Sequence, residues 1–203
     1  MRIHFDPKQA KPAVAMLETT SIGRGLLAVD GILKTASVKV LLSTPTSPGN
    51  YISIFTGEVG DVESSLNRGI ELAGTSYKDH FLLPNIHPQA LSALFHIQPL
   101  KENLEAVGIL ESNKMASLLE AADASAKAAE IDMIHIHLGI GIGGYSFAVF
   151  VGPFGEVETS LKEGTRLLLE KDALKEEILI GQADPQMVQI LLQAKLPERN
   201  SLS

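Results

Sequence analysis

The chain has 203 residues, 45% of them hydrophobic, which is enough to bury sizeable cores. A formal net charge of −7 and the lack of any basic stripe argue against a nucleic-acid partner, and a cysteine count of 0 excludes disulfides, thiolate catalysis and cysteine-ligated clusters. No run of about eighteen apolar residues occurs and no long apolar stretch opens the chain, so neither a membrane span nor a secretory signal is expected and a soluble intracellular protein is the default.

Taken in order, residues 12–19 read as a strand, and Ser21 can cap a helix over Ile22–Thr35 whose Leu26, Val29, Ile32 and Leu33 recur at helical spacing. Val38–Ser43 is a second strand, Pro45–Asn50 a turn cluster, and Tyr51–Thr56 a third strand ended by Gly57. A helix over Val59–Ala73, a short strand over His80–Leu83 and a short helix over Pro88–Phe95 follow. Gln98–Glu105 is short and polar, as a linker would be. Beyond it the order returns. Strands are predicted over Ala106–Glu111, Met133–Leu138, Tyr145–Val151 and Glu177–Ile180, with helices over Lys114–Ala129, Glu156–Glu170 and Pro185–Gln193.

The second half repeats the first in residues as well as in pattern. Ala13-Val14-Ala15-Met16-Leu17-Glu18 returns as Ala106-Val107-Gly108-Ile109-Leu110-Glu111 at an offset of 93. The offset becomes 95 where the Gly57, Gly60, Glu63, Ser65, Leu66, Gly69 series matches Gly152, Gly155, Glu158, Ser160, Leu161, Gly164, and 97 where Pro88-Gln89 matches Pro185-Gln186. The slips fall in turn-rich segments, where insertions cost least. Two domains are expected, 1–98 and 104–203, packed side by side. Each has the β-α-β-β-α-β-α order of a ferredoxin-like split unit with a terminal helix, an α+β class forming an α/β sandwich. The alanine-rich helix near Lys114 is slim enough for close packing on a sheet or a neighbouring subunit.

Candidate chemistry is sparse. His135 and His137 lie two apart in a strand, so both point to one face, but no third metal ligand accompanies them. His80, His87 and His96 stand alone. Gly139–Gly144 lacks the lysine and hydroxyl of a phosphate loop and joins strand to strand rather than strand to helix, so a nucleotide site is not expected. Such a bare backbone can bend tightly or approach symmetry mates around an axis. Its counterpart in the first half, Thr46–Gly49, offers Ser47 but no histidine–acid pair to activate it. The repeated acids Glu18/Glu111 and Asp30/Asp123 suggest structural or interface tasks, and Lys34 and Lys127 sit near helix ends, where they suit the helix dipole. No catalytic residue, metal site or cofactor is expected, and the chain is read as no enzyme.

These residues resemble the bacterial microcompartment shell family. The resemblance spans roughly 13–96 and 106–193 and rests on Ala13–Thr19, Ala106–Glu111, Glu120–Ala124 with Lys127-Ala128-Ala129, and the Gly57–Val62 and Gly152–Val157 segments. The domain order looks like that of the non-permuted tandem type, and Ser47-Pro48-Gly49, Leu83–His87 and Gly141–Gly144 are most similar to the tandem proteins of propanediol utilisation. The resemblance implies a structural shell protein. Three two-domain chains would form a homotrimer, a pseudohexameric tile that joins other shell proteins in the cytoplasm and passes small-molecule metabolites through a central pore. It places Thr46, Ser47, Pro48 and Gly49 at the pore. Ile140, Gly141, Ile142, Gly143 and Gly144 would flank it or make inner subunit contacts, and Lys34 and Lys127 would lie at the tile edge. One loop would form the hole while its counterpart helps hold the ring together. Neither a nucleic-acid nor a membrane partner is implied.

Two departures from the resemblance matter. The propanediol-utilisation type carries a cysteine at the position of Ser47, three of which hold an iron–sulfur cluster. A serine hydroxyl is a poor ligand for soft iron, so no cluster and an open polar pore are expected. Many single-domain relatives carry an arginine in the turn after the fourth strand, whereas here the stretches read Pro84-Asn85-Ile86-His87 and Gly181-Gln182-Ala183-Asp184, so edge contacts must differ. A trimeric ferredoxin-like small-molecule sensor is the alternative; it needs a long signalling loop and basic phosphate ligands, neither of which is evident.

Overall fold

The computed structural model describes residues 13–95 and 105–193. Most of the expected linker, together with His96, lies outside the described residues. The first half runs β1 (Ala13–Thr19), α1 (Ile22–Thr35), β2 (Lys39–Thr46), β3 (Asn50–Gly57), α2 (Val59–Ala73), β4 (Tyr77–Leu83) and α3 (Pro88–Leu94). The second runs β5 (Ala106–Ser112), α4 (Met115–Ala128), β6 (Asp132–Leu138), β7 (Ser146–Gly152), α5 (Phe154–Glu170), β8 (Leu174–Gly181) and α6 (Pro185–Gln193). Each half builds one antiparallel sheet, ordered β2-β3-β1-β4 and β6-β7-β5-β8. This is the ferredoxin-like split β-α-β arrangement, present twice in non-permuted order.

Alternation along the strands sorts the side chains by face. In the first half Ala13, Ala15, Leu17 and Phe55 meet Ala28 and Ile32 of α1 and Val62 and Leu66 of α2. The repeated glycines explain how close the helices come. A Cβ on Gly69 would lie 2.8 Å from Ile32, and one on its twin Gly164 would lie 2.4 Å from Ser125 of α4. Val14, Met16, Ile52 and Ile54 point to the opposite face. With Ala90, Leu91 and Leu94 of α3 they join one continuous buried cluster that includes α4, Met133 and Ile136 of the second half. Burial of apolar surface therefore runs unbroken from one half into the other.

Several elements are longer than their sequence pattern. β2 continues through Pro45, which pairs with Tyr51, so the turn shrinks to Ser47–Gly49. Proline is tolerated because β2 is an edge strand. β4 starts at Tyr77 rather than His80, and β8 at Leu174 rather than Glu177. α5 starts at Phe154, directly after Pro153.

Candidate functional site

The loops singled out from the sequence meet within one chain. Gly49 N donates to the Thr46 carbonyl at 3.0 Å, closing the turn after β2, and Gly49 adopts φ +115°. The Ser47 amide donates to the Gly139 carbonyl at 3.2 Å, which ties this turn to the glycine-rich loop. Gly139, Gly141, Gly143 and Gly144 all have positive φ. Gly144 is confined in space as well. A Cβ there would sit 2.6 Å from the Ser47 carbonyl oxygen and 2.9 Å from Pro48 Cδ. Pro48, Gly49, Ile140, Gly141, Ile142 and Gly143 are exposed and Ser47 is half-buried, whereas Thr46 and Gly144 are buried. Thr46 thus supplies its carbonyl to the turn while its side chain stays inside.

His135 and His137 share a face as expected, and both pack on Phe147 with ring centroids 5.5 Å away. His137 Nε2 donates to the Ile140 carbonyl at 2.7 Å and anchors the start of the loop. Among the described residues no group of three or more His, Cys, Asp or Glu is placed to hold a metal ion. No helix there is long and apolar enough to cross a membrane.

The joint between the halves is more specific chemically than its sequence suggested. Lys114, the residue preceding α4, offers no capping side chain. Carboxylates of the first half cap the helix instead. Buried Glu18 accepts from Met115 N at 2.9 Å and from Lys78 Nζ at 2.5 Å. Asp79 accepts from Ser117 N at 2.9 Å and Ser117 Oγ at 2.6 Å. Negative charge at a helix N-terminus meets both unpaired amides and the helix dipole. At the far end of α4, Asp123 accepts from His87 N at 2.6 Å and from Lys127 Nζ at 2.6 Å. Lys127 Nζ also donates to the Asn85 carbonyl at 2.6 Å, and Gln89 Oε1 accepts from Met133 N at 2.8 Å. Burial pushes His80 and His87 below the ordinary imidazole range, with Lys171 and Lys127 respectively adding to the effect against the opposing carboxylates.

The same surfaces stand open at the two ends of the chain. On α1, Ile22, Leu26 and Leu33 are 42%, 53% and 49% exposed. Their counterparts Met115, Leu119 and Ala126 on α4 are buried by the first half. On the opposite flank Ile178 and Ile190 are 40% and 65% exposed, whereas their counterparts Phe81 and Ala93 are buried at the joint. Lys34 makes an exposed pair with Asp30 at 2.7 Å, the uncovered version of Lys127–Asp123. A groove of about 680 Å³ between α4 and α5 holds several charges, but its cations are already engaged. Lys127 pairs with Asp123, Lys162 with Glu158, and Arg166 with Glu163 and Glu170.

Two ferredoxin-like units in one chain, joined through one face and carrying the matching faces uncovered, define a tandem-domain protein of modular construction. The BMC domain model matches residues 13–86 and again 106–182, and the chain belongs to that family, the bacterial microcompartment shell proteins, in its tandem-domain form. A bacterial microcompartment shell protein of Citrobacter freundii, PduT, is 34% identical over 162 residues, covering 80% of this chain and 88% of that protein. A crystal structure of a microcompartment protein from Desulfitobacterium hafniense is 38% identical with a TM-score of 0.78, over 89% of this chain and 99% of that one. A fused permuted hexameric shell protein of the RMM microcompartment covers 80% of this chain and 83% of its own at a TM-score of 0.60; at 18% identity it shares the fold.

Proposed function

We propose that three chains close head to tail into a pseudohexameric tile of a cytoplasmic microcompartment shell, with Ser47, Pro48 and Gly49 around a central pore for small metabolites. Thr46 closes that turn from inside, and Ile140–Gly144 flanks it. The observation that carries this reading is the pair of uncovered surfaces. α1 presents the residues that α4 buries, and β8 with α6 presents the counterparts of what β4 and α3 bury. A head-to-tail contact of this kind is heterologous, and it makes a ring where the rotation from chain to chain closes. Hexagonal tiling needs six units per tile, which two-unit chains supply in threes. Lys34 would take from the Gln182 region of the next chain what Lys127 takes from Asn85, leaving both lysine stems at the tile edge.

The residues present do not fit an iron–sulfur cluster. Position 47 offers a hydroxyl, and the chain has no cysteine to supply a thiolate. The pore is left to backbone groups, Ser47 and the ring of Pro48.

Leu26→Glu tests the ring. The wild-type chain is expected to sediment as a trimer, and the variant as a monomer with an unchanged far-ultraviolet circular dichroism spectrum. A wild-type chain that stays monomeric across the accessible concentration range rejects the tile.

A further inference from the structure

We infer that the joint between chains is locked by an Arg24–Glu176 ion pair that has no counterpart in the joint within the chain; the inference rests on the ring reading above. The sheet registers establish the equivalence. Asp79 lies opposite Glu18 across β1 and β4, and Glu176 lies opposite Glu111 across β5 and β8. Glu176 is therefore the twin of Asp79. Ser117 and Arg24 are each the third residue of their helices, α4 and α1. Superposing one joint on the other brings the Glu176 carboxylate to Arg24, as Asp79 is brought to Ser117.

The chemistry at the two positions has diverged in a matched way. α4 has no capping side chain of its own, and its third amide and the Ser117 hydroxyl both donate to Asp79. α1 is capped from within, because Ser21 Oγ accepts from Arg24 N at 3.3 Å. A carboxylate arriving from the next chain is not needed at that amide. It meets a guanidinium where the other joint has a hydroxyl. Arg24 is exposed, and among the described residues its guanidinium makes one long contact, 3.5 Å, to the Leu72 carbonyl, leaving donors for a forked carboxylate bond. Glu176 is exposed, one methylene longer than Asp79, and makes no hydrogen bond or ion pair among the described residues. Among the described residues neither Arg24 nor Glu176 makes an ion pair, Glu176 feeling only the through-space charge of Lys175, and ring closure would pair the two.

An inter-chain pair of this kind sets partner choice and register more than bulk affinity. The internal joint is sealed by hydrogen bonds into helix amides, so raising salt should loosen the ring before it loosens the chain.

Charge reversal tests the pair by sedimentation. Arg24→Glu and Glu176→Arg, each alone, are expected to raise the concentration at which the ring half-dissociates by about ten-fold or more, while the double variant returns it to within about three-fold of wild type. Arg24→Cys with Glu176→Cys, in a chain otherwise free of cysteine, is expected to give covalent dimers and trimers on oxidation. A wild-type ring indifferent to both single reversals, or a double variant no better than the singles, overturns the pair and leaves the ring standing. Cross-linking confined to single chains also overturns it. A wild-type monomer overturns the ring and the pair together.

Discussion

Glu18 and Glu111 occupy matching positions on β1 and β5, and the same isosteric change at each should act on different equilibria. Glu18 is fully buried and accepts from Met115 N at 2.9 Å and Lys78 Nζ at 2.5 Å. Gln at 18 preserves shape and can still accept one bond, but it loses the charge that faces the α4 N-terminus and the lysine. Charge-assisted hydrogen bonds contribute about 1.5–3 kcal/mol each, and Lys78 can recover part of its loss through water, so Glu18→Gln should cost about 2–4 kcal/mol. Glu111 pairs with Lys175 at 2.6 Å with both side chains partly exposed. An exposed pair contributes about 0–1 kcal/mol, so Glu111→Gln should barely change the stability of a single chain.

Urea melts at several protein concentrations separate the two effects. The loss in Glu18→Gln should persist at every concentration, because the contact lies inside the chain. The loss in Glu111→Gln should be near zero at the lowest concentration and grow as rings form, since association stabilises by mass action. Equal losses with equal concentration dependence would refute the assignment of one site to the internal joint and the other to the joint between chains. A Glu18→Gln loss below about 1 kcal/mol would refute the capping role itself.

Two further outcomes are expected. Gly144→Ala should cost about 1–3 kcal/mol, because the added Cβ meets the Ser47 carbonyl in a left-handed backbone, whereas Gly141→Ala, with φ +79° and open space, should cost about 1 kcal/mol; equal losses in thermal melts would remove the steric argument for the contact between the loops. Acidification should loosen the joint: His80 and His87 have folded pKa values below the unfolded value of about 6.5, so the stability they allow is complete above that pH and is lost as pH falls through it toward the folded values. The urea midpoint should drop as the pH falls below about 6.5, and His80→Gln with His87→Gln should flatten that slope; an unchanged slope would place the pH response elsewhere.

Much of the fold was legible because the two strongest signals, periodicity and repetition, are local. α1 and α2 fall at the bounds their apolar spacing marks, and Gly69 and Gly164, visible in the sequence as repeated positions, prove in the structure to lie at close helix crossings. The early parts of β4 and β8 escaped the pattern for a functional reason. Lys78 and Asp79 are polar because they serve the joint, and Glu176 is the twin of Asp79, exposed in the single chain, so neither strand shows clean alternation. The caps on α4 were equally hidden, since a helix capped by Glu18 and Asp79 from another sheet leaves no signature at Lys114. Asp30 and Asp123 were visible as a repeated pair, but the burial of one and the exposure of the other depend on which half has a neighbour. That information belongs to packing and no window along the chain contains it.

In the proposed ring, fusion gives two joints that would repeat one geometry but need not share one chemistry. In a ring of identical single units every joint uses the same residues, so any change is made at all six places at once. Here Ser117 and Arg24 occupy one position with different side chains, and Lys114 and Ser21 divide the capping task in opposite ways. The internal joint forms at the effective concentration of a tethered pair and can depend on buried carboxylates that only a covalent neighbour guarantees. In the proposed ring the joint between chains would have to find its partner by diffusion, where exposed opposite charges would aid encounter and choose the register. Hydrogen-bonded caps inside the chain and the proposed ion pair between chains would each fit the kind of association that uses it.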